Sequence, residues 1–334
     1  MGYAPHKRDA TRSTGRIGRA VRRARERTVV RGYRTAAAAI SRAPVRFSRS
    51  VGRAVFVSGY FAWPTKRRII LSNASHVLRK PASDRQVRYL ARRIYTSYAH
   101  MLIDLMRLPS RPADEPTRLV RTDGERGGES FVAMFQQLRG QGRGLIAVSA
   151  HIGSIDLLAG AFALRGLPTY GLADDTAYPE LFDELNAQRR RWGIEIIPWR
   201  NLRRVYHALR EPSILGLVVD WGYRSDGIPV QLFDEWTTLP AGPALLAART
   251  NAVVVPVVCR ALPDGTYRAS HYDPIEVADS SAEEIQRATQ AIANAIEDMI
   301  AAAPEQWYTF KPVWPDTRRE KDALAARVAA LGAS

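Results

Sequence analysis

The sequence predicts an α/β fold: a mostly parallel central sheet flanked by helices, with a helical N-terminal region and a basic N-terminal tail. Three observations carry this. From residue 130 onward, short apolar runs of strand length alternate with segments of helical periodicity, the pattern that builds parallel sheets. Glycines and prolines stand between the runs as stops. The positive charge is concentrated at the start: the net charge is +16, and residues 1–60 hold fifteen Lys/Arg against two acids.

At 334 residues the chain can hold one large domain or two modest ones around a substantial core. Its single cysteine, Cys259, excludes an intrachain disulfide and fits a reducing compartment. Residues 1–35 are Arg-rich and poor in large apolar groups, which predicts a disordered basic tail. Residues 36–63 mix arginines with Val45, Phe47, Val51, Val55, Phe56, Val57, Tyr60, Phe61 and Trp63. That composition suits an amphipathic membrane-interface region of one or two helices, or equally a helix packed on the domain. The apolar run Ala54 to Trp63 is too short to span a bilayer, and no secretory signal is legible. Membrane contact is therefore expected to be peripheral, through an anionic surface.

The elements follow in order. Residues 65–108 read as helical, with Val87, Leu90, Ala91, Ile94 and Tyr98 at helical spacing behind Asp84. Residues 110–128 read as loop, and Phe131 to Leu138 as helix. Leu145 to Val148, bounded by Gly140, Gly142 and Gly144, reads as a core strand. Leu157 to Leu164 is an apolar helix stopped by Gly166 and Pro168. Strands are expected at Thr169–Ala173, Glu195–Pro198, Ile214–Val219, 253–260 and Tyr267–Tyr272. Helices are expected at Pro179–Trp192, Arg203–Arg210 and Ser280–Ile300, with a helical tail over 317–334.

Chemistry concentrates where the first core strand turns into its helix, at Ser149-Ala-His151-Ile-Gly-Ser-Ile-Asp156. Five residues at about 100° each place His151 and Asp156 roughly 140° apart on a regular helix. They meet only if His151 sits in the turn and Asp156 in the first helical turn. Asp156 would then orient one ring nitrogen and leave the other as a general base. The alternative is a histidine held by backbone at a strand end. Asp220 falls at the carboxyl end of a strand, where α/β proteins place ligand contacts. Gly242-Pro243-Ala244 starts a helix whose amino terminus can face an anion.

No G-x-S-x-G elbow, zinc motif, P-loop or dinucleotide fingerprint is present, and no metal is expected. His6, His76, His100, His207 and His271 are scattered and read as structural or surface residues. A non-catalytic membrane- or nucleic-acid-binding protein led by the basic arm is the alternative class, but such a binder has no need of the His/Asp pair.

Taken in order, these blocks resemble the bacterial lipid A biosynthesis acyltransferases, and within them the actinobacterial phosphatidylinositol mannoside acyltransferases. The resemblance covers residues 53–315. It rests on H-x4-D at His151 and Asp156, the strand-end Asp220, Val230 to Phe233, Pro240-Ala-Gly-Pro-Ala-Leu-Leu-Ala, Val253-Val-Val-Pro-Val257 and Pro304-Glu-Gln-Trp307. Gly222 and Asp234 depart from the family pattern. Glycerolipid acyltransferases share H-x4-D, but their Pro-Glu-Gly-Thr block is absent, and Asp264-Gly265-Thr266 reads as a hairpin turn.

The resemblance implies an acyltransferase domain over 64–316. It would move a fatty acyl group from acyl-CoA or acyl carrier protein to a hydroxyl of a membrane lipid or glycolipid. No other cofactor and no nucleic-acid partner are expected. His151 would be the base, supported by Asp156 or, at the position matched to a family glutamate, by Glu235. Leu158 and Phe162 are candidates for lining an acyl channel. Arg189, Arg190, Arg200 and Arg203 are candidates for donor phosphates, and Gly242 for an oxyanion contact. The place of action is expected to be the cytoplasmic face of the cell membrane.

Overall fold

The computed structural model describes residues 16–124, 126–173 and 179–331. Four helices come first: α1 (Arg16–Arg42), α2 (Val45–Ala62), α3 (Pro64–Leu78) and α4 (Arg85–Arg107). Pro64 opens α3, where its missing N–H leaves no bond unmade. Asp84 caps α4, its carboxylate accepting from the Gln86 N–H at 2.7 Å. Val87, Leu90, Ala91, Ile94 and Tyr95 of α4 are buried with Tyr60 of α2 and with Ile70 and Ala74 of α3, forming a small separate core.

The tail expected to be disordered over 1–35 is helical from Arg16; residues 1–15 lie outside the described residues. What docks it is specific rather than compositional. Val30 is buried, the buried Glu26 carboxylate accepts from the Glu180 N–H at 2.8 Å, and Arg34 pairs with Glu184 at 2.6 Å. A count of apolar residues does not register acids elsewhere that meet the arginines. α2 packs on α4 and buries Ser48 and Tyr60. Phe47, Val51 and Val55, spaced four apart, stay exposed, as do Phe61 and Trp63. Among the described residues no helix is long and apolar enough to cross a membrane.

The short α5 (Glu115–Leu119) and β1 (Val120–Arg121) then form inside the segment read as loop. After them come α6 (Gly128–Gly140), β2 (Leu145–Ser149), α7 (Ile155–Ala163), β3 (Thr169–Ala173), α8 (Pro179–Arg191), β4 (Glu195–Pro198), α9 (Leu202–Arg210) and β5 (Ile214–Val218). An antiparallel hairpin of β6 (Ile228–Leu232) and β7 (Glu235–Leu239) follows, then α10 (Gly242–Thr250), β8 (Val253–Ala261), β9 (Tyr267–His271), α11 (Ala282–Ala302) and α12 (Arg318–Leu331).

The main sheet runs β1-β9-β8-β2-β5-β3-β4 and is parallel at every pairing except β8 with β9. Both faces are covered, so its central strands are apolar throughout. In β2, Leu145 and Ala147 enter one core with Phe131, Leu157 and Phe162. Ile146 and Val148 enter the other, with Ala244, Ile292 and Ile296. β2 and β5 pair in parallel with Ser149 opposite Val218. His151 and Asp220, each two residues past that pair, therefore emerge side by side at the carboxyl edge.

The segment after α11 returns across this edge and is clamped by α3. Buried Asn73 donates from Nδ2 to the carbonyls of Thr309 (3.3 Å) and Lys311 (2.9 Å), and its Oδ1 accepts from the Val313 N–H at 3.3 Å. Lys66 Nζ donates to the Phe310 carbonyl at 3.0 Å. We expect Asn73→Leu to lower the unfolding free energy by about 1–3 kcal/mol, because it strands buried backbone groups. Urea denaturation followed by tryptophan fluorescence measures this, and an unchanged midpoint would remove the clamp from the account.

Candidate active site

The turn after β2 is built around two backbone requirements. Gly153 has φ +61, and a Cβ there would overlap the Cys259 carbonyl of β8. Only glycine allows that approach. The turn's own donors are then consumed in holding it: Gly153 N–H bonds the Gln306 carbonyl at 3.1 Å and Ser154 N–H the Cys259 carbonyl at 2.9 Å. The Tyr308 N–H donates to the His151 carbonyl at 2.7 Å. Gln306 in turn bonds Ala261 in both directions, at 2.8 and 2.9 Å. His151 is thus fixed by β8 and by the returning segment as well as by its own strand.

Its partner is Asp220. The His151 Nδ1 lies 2.7 Å from Asp220 Oδ1, and the His151 backbone N–H donates to both carboxylate oxygens at 3.0 and 3.1 Å. Trp307 donates its indole N–H to Oδ2 at 2.8 Å. The Asp220 side chain is 2% exposed and that of His151 40%. Among the described residues none hydrogen-bonds His151 Nε2. One ring nitrogen is therefore held by a buried carboxylate while the other is available to a reacting group, the arrangement of a supported general base.

The electrostatics agree. Burial pushes Asp220 upward, but the His151 charge, its ring and backbone hydrogen bonds and that of Trp307 outweigh it, holding the carboxyl below the usual range. Burial pushes His151 downward, but the charge and hydrogen bond of Asp220 together exceed it, and its pKa is raised. Lys311 opposes part of that rise.

The other expected site residues are placed as follows. Asp156 does not hold the histidine: its carboxylate takes Arg189, at 2.7 and 3.3 Å. His151 does sit in the turn and Asp156 in the first turn of α7, but that turn directs the carboxylate toward α8. That pair borders a cavity of about 270 Å³ lined also by Tyr33, Leu105, Leu185 and Trp192, which His151 does not line. Arg189 is thereby committed to Asp156, while Arg190, Arg200 and Arg203 are exposed. Glu235 opens β7, where its charge acts on His76 of α3. Leu158 and Phe162 are core residues, Phe162 stacked on Phe131 at 4.3 Å. Gly242 is exposed at the start of α10.

Sequence reasoning placed Asp220 at a strand end but not against His151. The available signal was that each residue lies two positions beyond an apolar strand run. It also missed the parts played by Trp307 and Trp221. The Trp221 ring stands edge-on to His151 at 5.5 Å. Among the described residues no three His, Cys, Asp or Glu side chains gather in a way that could hold a metal ion.

Residues 37–315 match the family described as bacterial lipid A biosynthesis acyltransferase. A phosphatidylinositol mannoside acyltransferase of Mycolicibacterium smegmatis is 27% identical over 248 residues, 72% of this chain and 77% of the relative. One of Mycobacterium tuberculosis (strain H37Rv) is 27% identical over 179 residues, 52% of this chain and about half, 55%, of the relative's length.

The raised pKa has a sign that can be measured. The imidazolium form of the pair stabilises the fold fully below about pH 6.5, the unfolded value, and that contribution is lost as pH rises through the folded pKa. The Asp220 contribution is present above about pH 3.9 and is lost as pH falls through its lowered folded value. We expect the His151 ring to titrate by NMR with a midpoint above about 6.5, and Asp220→Asn to bring that midpoint down. A wild-type midpoint at or below the ordinary histidine value would contradict the pairing.

Proposed function

The chain belongs to the bacterial lipid A biosynthesis acyltransferase family and is an acyltransferase, and from that premise we propose that it acylates a hydroxyl of a membrane glycolipid, with His151 as the general base. The observation that carries the mechanism is the His151–Asp220 pair, with Nδ1 on a buried carboxylate and Nε2 without a hydrogen-bond partner among the described residues. The glycolipid acceptor is supported by the two mycobacterial relatives, named for phosphatidylinositol mannosides.

The donor is a thioester, acyl-CoA or acyl carrier protein. As the acceptor oxygen attacks the thioester carbonyl, its proton passes to His151 Nε2. A new C–O bond forms, the C–S bond breaks, and the proton goes on to the departing thiolate. Asp220 holds the tautomer that leaves Nε2 basic and stabilises the imidazolium that forms. No covalent acyl-enzyme is needed, because positioning an activated thioester supplies much of the rate. Asp156 acts at one remove: with Arg189 it ties the first turn of α7 to α8 and so steadies the histidine turn. Arg200 and Arg203 follow β4, three strands from β2 and so about 14 Å along the same carboxyl edge. They are the cations proposed to meet the donor's phosphates.

The enzyme would work at the cytoplasmic face of the membrane without spanning it. The supporting feature is the exposed stripe of Phe47, Val51 and Val55 on α2, flanked by Arg46 and Arg53. Apolar residues of this kind can enter the headgroup layer while the arginines meet anionic lipid.

We expect His151→Ala to lower acyl transfer by about 10²–10⁴ with the fold intact, the usual cost of a lost general base. Asp220→Asn should fall by a comparable factor, and Asp156→Asn by less. Single-turnover assays on the three folded variants decide this; equal rates for wild type and His151→Ala would end the mechanism. For the membrane reading, replacing Phe47, Val51 and Val55 together with serine should weaken binding to anionic vesicles by roughly tenfold or more. Co-sedimentation measures it, and retained binding would move the contact elsewhere.

A further inference from the structure

A large aromatic ring stands open at the far end of the carboxyl edge that carries His151. β4 ends at Pro198, and the turn into α9 is held at three points. The Trp199 N–H donates to the Ala173 carbonyl of β3 at 3.1 Å, and the Asn201 N–H to the Pro198 carbonyl at 2.8 Å. Asn201 Oδ1 accepts from the Arg204 N–H at 3.2 Å. The turn nevertheless leaves Trp199 37% exposed. The Arg200 guanidinium lies 5.5 Å from the centre of its ring, within the range of a cation–π contact. The arginines here are not equivalent. Arg204 is committed to Glu195, at 2.8 and 2.5 Å, and lies over Tyr170. Arg200 and Arg203 are exposed, and no carboxylate among the described residues pairs with either.

An indole bearing a guanidinium, with a second cation three residues on from the first, has the chemistry that receives a nucleotide. Bases stack on aromatic rings and arginine planes, and phosphates take charge-assisted hydrogen bonds from arginine. Of the two thioester donors, only acyl-CoA ends its pantetheine arm in both an adenine ring and a phosphorylated ribose. An acyl carrier protein ends that arm in a protein surface and offers no base. The position suits a donor that arrives from water. β4 is the last strand of the sheet, three from β2, so the patch lies about 14 Å along the edge where α/β proteins bind ligands. The apolar stripe of α2 belongs to the other end of the sheet. α2 packs on α4, whose Asp104 accepts from the Tyr267 hydroxyl of β9 at 2.8 Å, and β9 is five strands from β4. We propose that Trp199 and Arg200 form the platform for the adenine of acyl-CoA, with Arg203 on its phosphates, so that the enzyme selects this donor over a carrier protein. This rests on the reading of the donor as a thioester and names which thioester. Trp199 binds the donor far from the reacting atoms; the proton transfer belongs to His151.

The experiment titrates the full chain in detergent with three nonreactive donors that share one alkyl thioether, carried by CoA, by pantetheine and by an acyl carrier protein. Calorimetry reads their binding with no acceptor present. Wild type should bind the CoA thioether more tightly than the other two. Trp199→Ala should weaken it by roughly tenfold relative to the pantetheine thioether, the scale of one stacked base. Trp199→Phe should recover part of that loss by restoring a ring, and Arg203→Met should weaken the same ligand. Comparing two ligands on one sample removes the effect of partial unfolding. In transfer assays with a mannosylated phosphatidylinositol, Trp199→Ala should raise the KM for acyl-CoA by a similar factor with kcat within about twofold, the mark of uniform binding. An unchanged ratio in Trp199→Ala would overturn the platform while leaving the acyltransferase reading in place. Tighter wild-type binding of the carrier protein would also overturn it, by giving the patch to a protein donor. Loss of anionic-vesicle binding in Trp199→Ala with donor binding intact would overturn it by giving the ring to the membrane. Wild type that binds none of the three would overturn the thioester reading and the platform with it. Wild type that discriminates the donors as expected yet acylates no mannosylated lipid would overturn the glycolipid reading and leave the platform standing.

Discussion

A carboxylate enclosed to 2% exposure, as that of Asp220 is, survives in a protein only when its lone pairs are met by donors. Here the donors come from two places far apart in the chain: the backbone and ring of His151, and the indole of Trp307. Each must arrive with its hydrogen in place or the carboxylate is stranded. The register of β2 against β5, the glycine turn at Gly153 and the path of residues 304–314 are therefore all constrained by one buried charge. Removing a single donor leaves that charge undercompensated, so fold and chemistry share the same interaction.

The segment from Pro304 to Trp314 carries the coupling. It supplies Trp307 to the carboxylate, a backbone N–H from Tyr308 to the His151 carbonyl, and Gln306 to the edge of β8. It also reaches the N-terminal helices, through Asn73 and Lys66 on α3 and through Glu305, which pairs with Arg93 of α4 at 3.0 Å. α4 is the helix on which α2 packs. The exposed apolar stripe of α2 and the outward edge of His151 are thus joined through two layers of packed structure. Such a connection matters for any acyl transfer at His151, because a misplacement of about 1 Å at the reacting atoms can cost about 10² in rate.

The elements themselves were legible because local physics dictates them. The apolar runs of β2, β5 and β8 are nearly continuous since both sheet faces are covered there. α4 announces itself by Asp84 ahead of apolar residues at three- and four-residue spacing, and α11 by the same spacing behind Ser280, one residue before the Ser281 that caps it. Where the reading failed, the cause was a distant partner. α1 docks through Glu180, 154 residues beyond Glu26, and Glu184, 150 residues beyond Arg34. The β6–β7 hairpin turns at Phe233 and Asp234, two non-glycine residues with positive φ, which carry no common turn signature.

The site divides in the same way. The sequence by itself determined that a histidine stands in a glycine-bearing turn between a buried strand and an apolar helix, and that two acids, Asp156 and Asp220, lie at element ends on the polar side of an apolar scaffold. Spacing along one chain could compare His151 only with its neighbour five residues on. Tertiary structure decided the pairing, because parallel strands bring their carboxyl ends together whatever the number of residues between them. That register sets Asp220 against His151, the packing of α7 beside α8 gives Asp156 to Arg189, and the returning segment delivers Trp307 to complete the carboxylate's hydrogen bonds.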